Sequence, residues 1–556
     1  MTVMGLVLIM LGIGLVWMIK DGGKPGVDRP GVEKPGSLET ETGEPEKIGT
    51  PSDAEAEPKK IVTPSDAETE QVGAEAVNQE EILDSARRKR KKAHAAQETE
   101  PVEEVKGPPK IMIASDTHLL AKELMDGGTA FRKKMESDDG KTTAYSGEIV
   151  DALLDEALLE RPDALILSGD LTFEGERLSH QELAGKLKKL QDAGVQVLVI
   201  PGNHDINNTR AAAYLDETED SDREDASSYR TAGSGTSDKE GDAPADADDK
   251  EETAPGAERI DGNTDEDFEE KRPDGPVTAA EFGEIYQEFG YAQAISRDEN
   301  SLSYIYPLRD NIWLMMLDTN QYEPKNLVDG EIRPETYQWM IQELDKADEE
   351  GVLVVPIGHH NILSVSRLYT RECMILSRAS ALWLFGEHNL PLYLSGHLHV
   401  QRMKKFKTEP GVPGEAYGVH EIVTSSLGMA PHQYGVLTWD ENRQMEYTGR
   451  RLDVEAYARR IGSQDENLLN FSRYTTDWYY QIVETQIYKK LHDYPDDIKQ
   501  DMAHTYADVL YHYGAGETMN QKDVETSRGY RMWDRLLPDS KWRKDIDMML
   551  KDMKEN

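Results

Sequence analysis

Five short polar clusters in this chain have the composition of metal-binding or acid–base centres. They are Asp116-Thr117-His118, Gly169-Asp170, Gly202-Asn203-His204-Asp205, Gly358-His359-His360 and Gly396-His397-Leu398-His399. Carboxylates, imidazoles and an amide oxygen together suit divalent ions such as Mn, Fe and Zn. An aspartate can bridge two such ions, and a histidine outside the coordination sphere can carry a proton. A lone Asp-x-His or Gly-Asp is weak evidence, and a lone Gly-His-x-His is moderate. Five in one order, each at the end of an apolar run, are not a chance arrangement. Spacing alone does not separate His359 from His360. His180 falls on a predicted helix and reads as structural; His420 and His432 follow the last cluster and are candidates for the pocket wall.

The apolar runs are the elements that must position these groups. IMIAS (111–115), ALILS (164–168), VQVLVI (195–200), VLVVPIG (352–358) and LPLYLSG (390–396) read as buried strands. Between them, 146–162 and 178–194 have helical spacing and end at Pro or Gly. Strand–helix alternation of this kind predicts an α/β sandwich. Strand ends at one sheet edge converge on a crevice, the usual ligand position in open α/β folds. Glycine beside most of the clusters lets the backbone turn sharply there. SLSYIYPLRDNIWLMMLDTN (301–320) reads as a hairpin, and HEIVTSS and YGVLTWD as later strands.

Composition sets further bounds. With 556 residues, 37% hydrophobic and 30% charged, the chain is too polar to be one globule. A net charge of -43 excludes a duplex nucleic acid partner, which would need a basic face. One cysteine, Cys373, excludes a disulfide framework or a cysteine-based zinc site. Residues 1–20 are apolar from Val3 to Ile19, long enough for a transmembrane anchor or a signal segment. Lys20, Lys24 and Arg29 follow that segment, a distribution that favours a cytoplasmic carboxyl-terminal side, whereas the long Pro/Glu-rich stalk favours the outside. Residues 21–108 repeat Pro-Gly units and TPSDAE (50–55 and 63–68), carry a solvated basic run at 86–92, and predict a disordered acidic linker. A second acidic, aromatic-poor stretch at about 216–276 predicts a disordered insertion in a surface loop. From 454 to 556 the pattern becomes helical and aromatic, and predicts a small all-α domain whose Tyr and Trp stripes form its core.

The order D-x-H, G-D, G-N-H-D, H, G-H-x-H resembles that of the calcineurin-like metallophosphoesterase family across 109–453. GDLTFEGERLSH (169–180), EFGYAQAISRDENSLSYIY (288–306) and the helical carboxyl-terminal region are similar to bacterial cell-surface cyclic-nucleotide phosphodiesterase-like proteins. The resemblance implies a four-layer α-β-β-α sandwich and two divalent transition-metal ions (Mn, Fe or Zn). It makes Asp116, His118 and His399 ligands of the first metal and Asp170 the bridge. Asn203, His359 and His397 become ligands of the second, with His360 just outside. It makes His204 the proton donor and Asp205 the carboxylate that orients it. A purple acid phosphatase has tyrosine three residues after the bridging aspartate; Phe173 stands there and offers no tyrosinate.

The function so implied is hydrolysis of small phosphoesters by a metal-bridging hydroxide, with phosphodiesters such as cyclic nucleotides preferred. The alternatives are a phosphomonoesterase acting on nucleotides or wall phosphates, and a non-catalytic, metal-stabilised surface binding protein. Retention of His204 and Asp205 argues against the last, because neither is needed merely to hold metal. The expected location is the cell membrane, single-pass with the catalytic domain outside, or secretion. Nothing in the sequence indicates the oligomeric state.

Overall fold

The computed structural model describes residues 107–216, 272–370, 373–406 and 418–555. The expected amino-terminal anchor, the linker and most of the acidic insertion lie outside the described residues. Among the described residues no helix is long and apolar enough to cross a membrane.

The strands are β1 (Lys110–Ala114), β2 (Ala164–Ser168), β3 (Gln196–Ile200), β4 (Ser296–Arg297), β5 (Tyr304–Arg309), β6 (Ile312–Met316), β7 (Leu353–Ile357), β8 (Leu392–Ser395), β9 (Arg402–Lys405), β10 (His420–Val423), β11 (Gln433–Trp439) and β12 (Met445–Arg451). They form two sheets, ordered β12-β11-β1-β2-β3 and β4-β5-β6-β7-β8-β10-β9. β1, β2 and β3 are parallel, as are β6, β7, β8 and β10. The strands bearing the five clusters are nearly uniform apolar runs because both faces are covered. One continuous core joins residues of the two sheets, from Ile113, Ile166 and Val199 to Leu314, Ile357 and Leu394. The expected 301–320 hairpin is the antiparallel pair β5–β6.

The helices before the last strand are α1 (Thr129–Glu136), α2 (Ser146–Glu160), α3 (Arg177–Asp192), α4 (Ala279–Ile285), α5 (Pro334–Glu350) and α6 (Arg378–Glu387). α5 shows how the sequence delimits them: Pro334 opens its first turn, and Gly351, at φ 71°, closes it in the left-handed conformation. Together sheets and helices form the α/β sandwich expected from the sequence. Residues 272–276, expected to belong to the disordered insertion, are instead built into this region. Arg177 and Leu178 donate backbone hydrogen bonds to Gly275 and Pro273, and Glu176 pairs with Pro276. On the other side of the insertion the Asp216 carboxylate accepts from the Thr129 and Ala130 amides and caps α1.

The carboxyl-terminal region is helical: α7 (Val454–Arg460), α8 (Glu466–Leu469), α9 (Phe471–Lys490), α10 (Asp496–Gly514), α11 (Gln521–Thr526), α12 (Arg528–Leu536) and α13 (Lys541–Asp552). Asp453, Asp465, Asn520, Ser527 and Ser540 cap five of them through their side chains. Its aromatic stripes are core, as expected: Tyr506 and Trp533 are buried in one cluster with residues of the second sheet.

Candidate binuclear metal centre

All five clusters lie just beyond the carboxyl ends of parallel strands, β1, β2, β3, β7 and β8 in turn. Such a chain end must turn sharply to aim several side chains at one point. Asp116, His118, Asp170, His397 and His399 all have positive φ, between 44° and 69°. Non-glycine residues adopt that region only where the surroundings over-determine it. Two glycines make the approach feasible. A Cβ on Gly202 would collide with the backbone nitrogen of Asp170, and one on Gly396 with Ser115 and Asp116.

The side chains form two groups that share Asp170: Asp116, His118, Asp170 and His399 in one, Asp170, His359 and His397 in the other. Within each group the donor atoms lie within 4.8 Å of one another. Each central carboxylate spends one oxygen on the backbone. Asp116 Oδ2 accepts from the His397 amide at 3.1 Å, and Asp170 Oδ1 from the His204 amide at 2.9 Å. The second oxygen of each faces the crevice. Asp170 Oδ2 lies 3.4 Å from His359 Nε2, 3.7 Å from His118 Nε2 and 3.8 Å from His204 Nε2. Asp116 Oδ1 lies 3.2 Å from His399 Nε2.

The donor set fits cations. Asp116 Oδ1, Asn203 Oδ1 and His359 Nε2 are buried and have no hydrogen-bond partner, which a protein avoids unless something else fills the coordination. Nδ1 of His359 donates to the Ser168 carbonyl at 2.9 Å, which leaves Nε2 unprotonated for a metal. His360 is differently placed. Its Nδ1 pairs with Thr319 Oγ1 at 2.8 Å and its Nε2 with the Val328 carbonyl at 3.0 Å. Both ring nitrogens of His360 are thus engaged away from the cluster, whereas Nε2 of His359 faces it. Burial opposes charge throughout, yet the Asp170 carboxylate holds His359 up at about 9, and Asp116 does the same for His399. His359, His204 and His118 hold Asp170 well below the usual carboxylate range against its burial.

The expected pairing of Asp205 with His204 is not what the structure shows. The Asp205 carboxylate accepts from the amides of Gly202, Leu171 and Thr172 and from the Thr172 hydroxyl, all at 2.8 to 3.0 Å. It therefore ties the β2 and β3 loops together and faces away from the imidazole. Its burial, with the Asp170 charge nearby, pushes it up to about 6. His204 Nδ1 instead donates to the Phe173 carbonyl at 2.7 Å, with Glu174 Oε2 3.3 Å away. Glu174 is buried and also takes Lys134 Nζ at 3.0 Å, Arg210 Nε at 3.0 Å and Asn208 Nδ2 at 3.1 Å. Burial lowers the basicity of His204, but Asp170 and Glu174 outweigh it and the imidazole is raised. Glu174 carries no sequence signal of its own beyond standing four residues after Asp170.

Sequence reasoning also missed the loop Asp138-Asp139-Gly140-Lys141. Lys141 is buried against Asp139 at 2.7 Å, and Asp139 Oδ2 lies 3.5 Å from His399 Nδ1. The carboxyl-terminal helices seat this loop: Trp478 Nε1 donates to the Lys141 carbonyl and Gln486 Nε2 to that of Asp138. His180 is structural, held by Tyr286 and the Asp205 carbonyl. His432 is buried against Phe471, and His420 lies on β10.

The model of the family described as calcineurin-like phosphoesterase matches residues 109–401, more than half of the chain. The chain belongs to the calcineurin-like phosphoesterase family. This phosphoesterase also matches, over 453–556, a family described as the C-terminal domain of cyclic nucleotide phosphodiesterase. No curated protein matches it. Among solved structures it is similar to a dimetal phosphatase from Danio rerio, at 13% identity over 62% of this chain and 96% of that one, TM-score 0.38. It is also similar to a purple acid phosphatase from yellow lupin (Lupinus luteus) seeds, at 13% identity over 63% and 52%, TM-score 0.36. The phosphoesterase is thus a phosphoric ester hydrolase with a binuclear metal-binding cluster.

Proposed function

We propose that this hydrolase is a phosphodiesterase whose substrates are cyclic nucleotides or similar small diesters. The observation that carries the substrate class is the match of 453–556 to the C-terminal domain of cyclic nucleotide phosphodiesterase. Asp116, His118, Asp170 and His399 would hold one ion, and Asp170, Asn203, His359 and His397 the other. Two bound divalent ions supply Lewis-acid polarisation of phosphoryl oxygens and water of lowered pKa.

The chain's own residues do the rest. Asp116 and Asp170 bring two negative charges to the cluster, and Asn203 adds a neutral donor, so two divalent ions would leave a positive site that attracts a phosphate anion. His204 holds a proton on Nδ1 against the Phe173 carbonyl, which leaves Nε2 directed at Asp170 and the crevice. Glu174 stabilises the imidazolium, so a second proton resides on Nε2 and passes to the leaving oxygen as the ester bond breaks. Lys134 and Arg210 balance the Glu174 charge and keep it fixed. The apolar Val3–Ile19 segment supports display of the hydrolase outside the cell membrane.

The test is turnover of the full chain with Mn on a cyclic nucleoside monophosphate, bis(p-nitrophenyl) phosphate and p-nitrophenyl phosphate. A kcat/KM for the diesters about tenfold or more above that for the monoester is expected, a difference of about 1.4 kcal/mol in transition-state binding. Preference for the monoester overturns the diester reading and makes the protein a phosphomonoesterase.

A further inference from the structure

The loops that follow β6 and β10 carry none of the assigned ligands, yet both strands run parallel to β7 and β8 and end at the same sheet edge as the clusters. The two loops fasten different ligands. Beyond β10, the Leu427 amide donates to the Ser115 carbonyl, the Gly428 amide and Ser426 Oγ both donate to the Asp116 carbonyl, and Ser425 Oγ donates to that of His399 at 3.3 Å. These are residues of the first-metal side. Beyond β6, the loop 317–333 reaches the second-metal side. Asn320 Nδ2 donates to the Pro201 carbonyl at 2.8 Å, and Asn207 Nδ2 donates back to the Tyr322 carbonyl at 3.1 Å. Asn326 Nδ2 donates to the carbonyls of Asn203, at 2.8 Å, and Ile206, at 2.7 Å. The same loop occupies both ring nitrogens of His360, the neighbour of His359, and a Cβ on its Gly330 would strike that ring.

Among these ties, that of Asn326 grips a ligand residue itself. Its NH2 group has two protons, and both are used, one at each end of the Asn203–Ile206 turn. Asn203 is the neutral donor of the cluster. No charge draws it to a cation, so its worth depends on being in place before the ion arrives. Its Oδ1 has no hydrogen-bond partner to hold it, which leaves the backbone to set its direction. We infer that Asn326 is a positioning residue for the second metal: by holding the Asn203 carbonyl it keeps the Asn203 amide oxygen aimed at that ion, while the first ion depends on the loop after β10. The inference rests on the assignment of Asn203 as a ligand.

Equilibrium dialysis of the full chain against Mn, with bound metal measured by elemental analysis, should give two dissociation constants for the wild type. Asn326→Ala should raise one of them about 10–100-fold, the usual worth of an outer partner to a ligand, and leave the other within about threefold. Asn326→Asp, equal in size but without the two donors, should do the same, and it decides the matter if Asn326→Ala does not accumulate as folded protein. In an Asn203→Ala background, Asn326→Ala should add less than about threefold, because it acts through that ligand. Unchanged constants in the Asn326 variants overturn the inference. So does equal weakening of both ions, the mark of a loop that merely supports the fold, and so does a full further loss in the double variant. Retention of both ions by Asn203→Ala removes Asn203 from the ligand set and the inference with it, whereas retention by the Asn326 variants alone overturns the inference and leaves the ligand set standing.

Discussion

Asp205 and Glu174 exchange the roles that their neighbourhood to His204 would suggest, and single substitutions can separate them. In Asp205→Ala four buried donors, the Gly202, Leu171 and Thr172 amides and the Thr172 hydroxyl, lose their acceptor. At about 1–3 kcal/mol for each buried donor left unpaired, the loss is roughly 4–12 kcal/mol. The carboxylate's own burial, which lifts it from 3.8 to about 6, offsets about 3 kcal/mol of this. A net cost of about 5 kcal/mol remains, enough to lower the melting temperature of a folded part this large by roughly 6 °C. Asp205→Asn keeps an amide oxygen for the Thr172 donors and provides the kinetic arm. Its turnover per folded, metal-loaded molecule should stay within about tenfold of wild type, because the carboxylate does not touch the imidazole. Glu174→Gln should behave oppositely. Lys134 and Arg210, its partners, are 25% and 29% exposed and can turn to solvent, so the fold loses little. Removing the charge beside Nδ1 lowers the proton affinity of His204, so esters with poor leaving groups should slow about 10–100-fold and nitrophenyl esters much less. The assay is melting by circular dichroism beside a leaving-group series. The assignment is refuted if Asp205→Asn slows poor leaving groups as much as His204→Ala while melting is unchanged, and Glu174→Gln leaves the series intact.

Elemental analysis of the Mn-reconstituted chain should give close to two ions per molecule, and Asn203→Ala should lose about one, partly restored by excess Mn; full retention in Asn203→Ala would remove its oxygen from the ligand set. Deletion of 217–271, leaving Asp216 and residues 272–277 in place, should preserve fold, metal content and turnover, whereas a deletion that also takes Asp216 uncaps α1 and should melt earlier. His180 and His432 are buried and neutral, each lowered by burial from 6.5 to about 4. Their contribution is complete above about pH 6.5 and is lost as pH falls through about 4, opposed over that range by the buried Glu176, Glu421 and Asp205 carboxyls, which burial raises and protonation relieves. Each ring should therefore stay neutral down to about pH 4 in a histidine NMR titration; protonation of either near pH 6.5 would contradict this.

The strands and the metal-capable residues were legible in the sequence for one physical reason. A parallel strand covered on both faces is uniformly apolar, so polar residues that follow it must serve the strand end. IMIAS before Asp116 and LPLYLSG before His397 show this directly. Two things were not legible. Which neighbour points inward depends on contacts made by distant residues: Thr319 and Val328 occupy His360, and they are separated from it by more than thirty positions. Adjacency along the chain also does not fix side-chain partners. His204 and Asp205 are neighbours, yet one turns to Phe173 and Glu174 and the other to the loop after β2. The acidic composition of 216–276 likewise hid its last residues, because Pro273 and Gly275 serve through backbone carbonyls that composition does not register.

The carboxyl-terminal helices matter to the site for a reason that concerns strain. His397 and His399 are held in the left-handed region, where a non-glycine residue stays only if neighbouring bonds forbid its escape. Two residues beyond His399, the Gln401 amide donates to the Gly514 carbonyl at the end of α10, and a Cβ on Gly514 would sit 3.4 Å from the His399 carbonyl. On the opposite side Tyr479 of α9 packs against Gly140, next to the Asp139 that approaches His399 Nδ1. The helices therefore grip both loops that set the direction of one metal ligand. A domain boundary near residue 453 is a boundary in sequence pattern, whereas the metal centre is built across it. Separating the helices from the sheets would release the restraint on His399 before it disturbed the buried strands that carry the other ligands.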